Sequence, residues 1–323
     1  MNDFDYVPFL DPESLYASND LLLSDPQLRG LNLLMGFTGF TDAGRVVTQI
    51  SSEILGQLNT EPVALFDVDQ LIDYRSRRPH ITFDEDHFTD YQRPSLILYR
   101  VVDGLGRPFL FLTGSEPDLQ WERFTAAAIG LIERLEVNLV AWVHSIPMPV
   151  PHTRPLGVTV HGNRPELIEG MSSWKATVQL PAGIGHLLEL RLTETGVNVA
   201  GYAVHVPHYL ADAEYPAAAV AALEYLGAAA SLMLPTDRLR EAGREVERQI
   251  ADQMQASADV QNVVHRLEQQ YDEQAQERPV RSLLAGAGDE LPDADELGAA
   301  IEAYLATRED EDAAEREDTE PSE

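Results

Sequence analysis

The chain has 323 residues, 44% of them hydrophobic, enough to bury a full core in one large domain or two small ones. Its formal charge of −31, from 54 acidic and 23 basic residues, supplies no basic surface to neutralise phosphates and argues against nucleic acid as a partner. The absence of cysteine excludes disulfides, thiolate catalysis and Cys-ligated zinc.

The amino terminus, Met1-Asn2-Asp3-Phe4-Asp5, lacks the positive and apolar regions of a secretory signal. The most apolar long window, 215–234, is largely alanine and carries Glu224 and Gly227, which suits a helix buried between a sheet and a partner layer better than a membrane span. A cytoplasmic protein without a membrane segment is expected. Residues 1–30 read as an arm whose Phe4, Tyr6, Phe9 and Tyr16 dock on this or a neighbouring protomer.

From residue 31 the pattern alternates between strands and helices. An apolar run over 31–37 leads through Gly39, Asp42 and Gly44 into a helical pattern over 46–58. That helix start could hold an anion or a carbonyl oxygen, or Asp42 simply caps it; the spacing of Gly36, Gly39 and Gly44 fits no nucleotide fingerprint. A strand over 63–68 precedes a polar excursion over 70–95. There Arg75, Arg77 and Arg78 form the one dense basic cluster, suited to an anionic ligand or to internal ion pairs.

Two strands, 95–102 and 107–113, are joined by Asp103-Gly104-Leu105-Gly106. The second ends at Glu116-Pro117-Asp118, with Pro117 expected just inside the helix that follows through Phe124 and Leu135. Glu116 and Asp118 thus stand at a strand-to-helix junction, as caps or as acceptors for a substrate.

A strand over 138–143 runs into the proline-rich stretch 144–155, which carries His144, His152 and Arg154. Prolines stiffen it into an extended lip, either at a ligand site on the strand ends or packed against a neighbouring subunit. Extended structure over 157–160, irregular structure over 171–174, a helix over 183–192 stopped by Gly196, and a strand over 197–206 ending at His205 and His208 follow. Pro216 opens the alanine-rich helix, which Pro235 closes.

This order predicts an α/β fold, a three-layer α/β/α sandwich on a mainly parallel sheet, as the core domain over residues 31–235. From Thr236, Leu239, Val246, Ile250, Met254, Val264, Leu267 and Tyr271 recur at helical spacing, so 236–306 is a helical segment, either a hairpin or one long helix, with a further short helix at about 295–305. Residues 289–323 hold fifteen acidic residues against Arg308 and Arg316, and a disordered acidic tail is expected over 307–323.

Four motifs carry a resemblance: 36–44, the junction 116–121, the segment 147–155, and His205-Val206-Pro207-His208-Tyr209-Leu210. Together they resemble the proteasome assembly chaperone 2 family, nearest to its bacterial, actinobacterial-type branch. The resemblance implies an α/β/α sandwich similar in layout to nucleoside phosphorylases and related hydrolases, and a homo-oligomer, with a trimer as the expected size. It implies no reaction.

On the doubly wound reading, Asp42, Glu116, Asp118, His144, His152, Arg154, His205 and His208 gather as candidate ligand residues at one rim of the sheet. His205 and His208 straddle a proline without the helical spacing of zinc hydrolases, so neither metal nor cofactor is expected. One hypothesis is a non-catalytic oligomeric binding or assembly protein that engages a protein partner through residues 236–278. The other is a phosphorylase- or hydrolase-like enzyme in which Arg154 holds an anion, His144 or His205 exchanges protons, and Glu116 or Asp118 orients a small polar ligand.

Overall fold

The computed structural model describes residues 10–169 and 177–277. The expected irregular stretch 171–174, the helix at 295–305, the acidic tail, and Phe4, Tyr6 and Phe9 lie outside them.

In chain order the described elements are β1 (Tyr16–Ser18), α1 (Asp20–Leu23), β2 (Leu33–Thr38), α2 (Val46–Gln57), β3 (Asn59–Phe66), α3 (Val68–Leu71), β4 (Thr82–Asp84) and β5 (His87–Thr89). They continue with β6 (Leu96–Val102), β7 (Pro108–Ser115), α4 (Trp121–Arg134), β8 (Val140–Met148), β9 (Val158–Gly162) and α5 (Pro165–Ile168). The last are α6 (Ile184–Thr195), β10 (Val199–Pro207), α7 (Pro216–Ala230), α8 (Asp237–Ala256) and α9 (Ala258–Glu277).

Eight strands form one sheet in the order β1-β3-β6-β7-β2-β8-β10-β9. Its centre, β7-β2-β8-β10, is parallel throughout, and each flank is antiparallel. Of the antiparallel pairs, β6 with β7 follows from a short connection that leaves no room for a crossover helix. Between β6 and β7 the buried Asp103 carboxylate closes the turn, accepting from the amides of Leu105 and Arg107 at 2.9 and 2.8 Å and from Met233 at 2.9 Å. The lip between β8 and β9 likewise reverses the chain.

Alternation along the central strands divides the core between the two faces. Leu33, Met35, Leu110, Leu112, Val140 and Trp142 point to the face covered by α4 and α6, where Leu15, Leu23 and Leu28 from the first thirty residues join them. Leu34, Phe109, Phe111, Ala141, Val143, Tyr202 and Val204 point to the face covered by α2 and α7. The three-layer α/β/α sandwich follows. Alanines 218, 219 and 222 are fully buried and let α7 lie close to the sheet, while Leu239 of α8 packs over its far side as the partner layer.

Three local expectations are corrected. Pro117 lies before α4 rather than inside it: the helix begins at Trp121, after Gln120 takes a left-handed conformation with φ of 56°. The polar excursion contains a separate two-stranded sheet, β4 with β5, crowned by Phe83 against Phe88 at 5.2 Å between ring centroids. The strand expected over 63–68 begins at Asn59 and stops at Phe66, because Asp67 caps α3 by accepting from Asp69. The C-terminal alternatives resolve to a hairpin broken at Ser257. Among the described residues no helix is long and apolar enough to cross a membrane.

Candidate functional site

Three adjacent strands converge on one point of the α6 face. In the register of β8, β10 and β9, Trp142 and His161 both lie opposite Gly201, the strand between them. A Cβ there would lie 2.1 Å from His161 Cε1 and 2.6 Å from Trp142 Nε1, so the absent side chain is what allows the two rings to meet over the strand. Two residues along β8, His144 stacks on Trp142 with ring centroids 4.6 Å apart and planes 13° from parallel. The first turn of α6 sets His186 edge-on to both rings, at 5.3 Å from Trp142 and 4.9 Å from His144.

A hydrogen-bonded chain links these groups. His161 Nδ1 lies 2.9 and 2.8 Å from the two carboxylate oxygens of Glu189, which also accepts from the Trp142 indole N–H. His161 Nε2 lies 3.3 Å from His144 Nε2. His144 is 5% exposed, and its Nδ1 has no hydrogen-bond partner. Burial, reinforced by His161, His186 and His205, holds the His144 imidazole well below its usual range. Burial likewise lowers His186, whose Nδ1 accepts from the Gly183 amide at 2.9 Å. Burial alone would raise Glu189, but its hydrogen bonds from His161 and Trp142 outweigh that and hold the carboxyl below the ordinary range. His205 shares a 2.9 Å hydrogen bond with Thr159 Oγ1 on β9, and burial lowers it to about 4.

Glu116 sits at the edge of this cluster and holds it together through backbone. Its Oε2 accepts from the Phe40 amide at 3.1 Å and its Oε1 from Ile184 at 2.8 Å, tying the β2 turn to the start of α6. A Cβ at Gly39 would stand 2.5 Å from Oε2, so this approach requires glycine there.

The other candidates face elsewhere. Asp42 turns towards α2, accepting from the Val47 amide at 2.6 Å and the Thr48 hydroxyl at 2.7 Å. Burial, partly offset by those bonds, raises its carboxyl. Asp118 is paired with Arg77 at 2.7 Å and accepts from the Asp73 amide at 2.8 Å. His152 and His208 both pack on Tyr209, whose hydroxyl lies 2.7 Å from His152 Nδ1. Arg154 forms a two-bond fork with Asp272 at 2.8 and 2.8 Å and reaches Glu268 at 3.3 Å, so the lip is fastened to α9. The structure therefore joins Glu116, His144 and His205 to one face of the sheet and distributes the other five candidates around it.

Sequence reasoning missed Trp142, His161, His186 and Glu189 as partners of His144. The available signal was Gly201 inside an otherwise largely apolar strand, a mark of close approach by neighbouring groups. Among the described residues, no group of three or more histidine or acidic side chains is arranged to hold a metal ion.

The profile of the PAC2 family matches residues 36–254. A Mycobacterium tuberculosis protein of unknown function is 44% identical and superposes with a TM-score of 0.77, over 83% of this chain and 94% of that one. A Corynebacterium glutamicum protein of unknown function is 37% identical with the same TM-score, over 81% and 98%. A Mycobacterium tuberculosis proteasome-assembly chaperone homologue, 21% identical, shares the fold with a TM-score of 0.66 over 72% and 100%. No curated protein matches the sequence.

Proposed function

The chain belongs to the PAC2 family, and from that premise we propose that it is a non-catalytic, homo-oligomeric binding protein with an assembly-chaperone-like role in the cytoplasm. It engages a protein partner through its C-terminal helical segment. On this reading residues 31–235 are the scaffold, completed at one sheet edge by β1 from the 1–30 arm, with 236–306 the interaction segment and 307–323 a solubilising acidic tail.

The observation that carries the reading is the hairpin of α8 and α9. It is held at its base by Leu239 and at the lip by Arg154, and Tyr271 donates to the Pro155 carbonyl at 2.9 Å. Near its turn, Val260 and Val263 stay 42% and 39% exposed. A rigidly mounted helix with valines facing water is suited to a protein surface. A phosphorylase-like reaction, by contrast, needs a free cation for its anion, and Arg154 is already paired with two carboxylates. The class of partner follows the M. tuberculosis assembly-chaperone homologue: a subunit on its way into a protein complex. Self-association is assigned to β4 and β5, where Ile81, Phe83, Phe88 and Tyr91 are each at least half exposed.

The test places a photo-crosslinking residue at Val260 or Val263 in the full-length chain inside its native cells. A discrete adduct with another protein, lost when the remaining valine is replaced by aspartate, is the expected result. Adducts that survive the aspartate substitution, or none at either position, would remove the hairpin as the interaction device.

A further inference from the structure

The chain Glu189–His161–His144 has a direction fixed by its ends. Nδ1 of His161 faces both oxygens of Glu189 at 2.8 and 2.9 Å and therefore carries a proton and donates it. In the neutral ring, Nε2 of His161 is then an acceptor, and Nε2–H of His144 donates to it across 3.3 Å. That assignment leaves Nδ1 of His144 as a bare lone pair, buried, with no protein partner. A buried acceptor without a donor costs stability, so the position is one where an incoming hydrogen-bond donor is favoured.

We propose that the relay from Glu189 through His161 to His144 is a binding site for a compact, uncharged hydrogen-bond donor, a hydroxyl or amide N–H, received on Nδ1 of His144. No proton changes hands: the donor is received on Nδ1 of His144, Nε2–H of His144 donates to Nε2 of His161, and Nδ1–H of His161 donates to the Glu189 carboxylate. The indole N–H of Trp142 fixes the other side of that carboxylate. The cluster reaches the surface at His161, whose side chain is 28% exposed.

The charge around the relay selects the ligand. The ionisable groups facing His144 are His161 on β9, His186 and Glu189 on α6, His205 on β10 and, beyond His186, Glu116 after β7. Among the described residues one arginine is hydrogen-bonded to this group, Arg77, which donates to the backbone carbonyl of Glu116 and is itself paired with the Asp118 carboxylate. With two carboxylates facing the relay and that nearby cation already paired, the site repels phosphate and carboxylate ligands and favours neutral donors. The inference is independent of partner binding by the hairpin, which lies on other residues.

The experiment records long-range imidazole 15N spectra of the full-length protein at pH 7.5, alone and with acetamide or glycerol as donor probes, acetate and inorganic phosphate serving as anion controls. The expected apo spectrum has His144 with Nε2 protonated and Nδ1 bare, and the donor probes move Nδ1 saturably while the anions do not. Glu189→Gln keeps an acceptor for His161 but removes the charge, and the donor probes are expected to bind at least about tenfold more weakly. His161→Phe, which breaks the chain outright, abolishes the shift; if it fails to fold, the Gln variant decides. A protonated Nδ1 in the apo protein, no response to either donor, a larger response to the anions, or unchanged affinity in Glu189→Gln would each overturn the proposal.

Discussion

Glu116 shows how a candidate catalytic carboxylate can be a structural one. Its two oxygens satisfy the amides of Phe40 and Ile184, and the residue is only 8% exposed. Glu116→Ala leaves both donors without a partner and is expected to lower stability by about 2–4 kcal/mol in urea unfolding, with Glu116→Gln retaining part of it. A loss below about 1 kcal/mol would show that water replaces the carboxylate. The buried histidines set the response to acid. His205 falls from its usual 6.5 to about 4 in the folded chain, and His144 and His186 shift the same way. The unfolded chain therefore binds protons that the folded chain refuses, so stability is full above pH 6.5 and declines as the pH falls from there to 4. His205 alone accounts for about 3 kcal/mol of that decline. Unfolding midpoints between pH 7.5 and 5 should fall in the wild-type chain and fall less steeply in His205→Asn; equal slopes would remove His205 as the cause. Strand-end reasoning picked out His144, His205 and Glu116 from the α/β order, but His144 stands in the middle of β8, which runs on to Met148 instead of ending at residue 143. That reasoning could not find Glu189 or His161 as partners of His144, because their meeting depends on β9 running antiparallel beside β10 and on the missing side chain at Gly201.

Helix α9 is held at the lip by polar contacts at a partly exposed surface: Arg154 with Glu268 and Asp272, and Thr153 donating to Glu268. Such pairs fix position more than they stabilise the whole fold. Arg154→Ala is accordingly expected to speed amide exchange through Val264, Leu267 and Tyr271 while leaving the global unfolding midpoint in place. Protection unchanged in α9 would mean that its buried Val264 and Leu267 suffice. Periodicity identified α2, α4, α6, α7 and the two C-terminal helices, since each buries an apolar stripe against a neighbour. It failed at β4 and β5, three residues each, whose turn places Glu85 at φ of 49° without glycine or asparagine to announce it. It also placed Pro117 in α4, where a left-handed Gln120 ends the approach and delays the helix.

At the scale of the molecule, the aromatic hairpin is the clearest unsatisfied surface. Phe83 and Phe88 pack on each other yet remain 62% and 67% exposed. The double substitution Phe83→Ser and Phe88→Ser should lower the mass measured by analytical ultracentrifugation without changing the far-UV circular dichroism. An unchanged mass would remove this hairpin as a self-association surface. Composition and alternation were enough for the three-layer class, because each layer must bury an apolar face. Strand order was not legible, since β2 pairs with β7 and β8, segments about 75 and 107 residues away along the chain, and no local signal specifies such pairings.

That order has a consequence for synthesis. β10 lies between β8 and β9, although both of them leave the ribosome before it. The two must wait, unpaired with each other, until Pro207 emerges and β10 inserts between them, one parallel and one antiparallel neighbour at once. Until then Trp142, Val158 and Val160 have no complete layer to enter, so the nascent chain carries its stickiest strands exposed through the translation of about forty further residues.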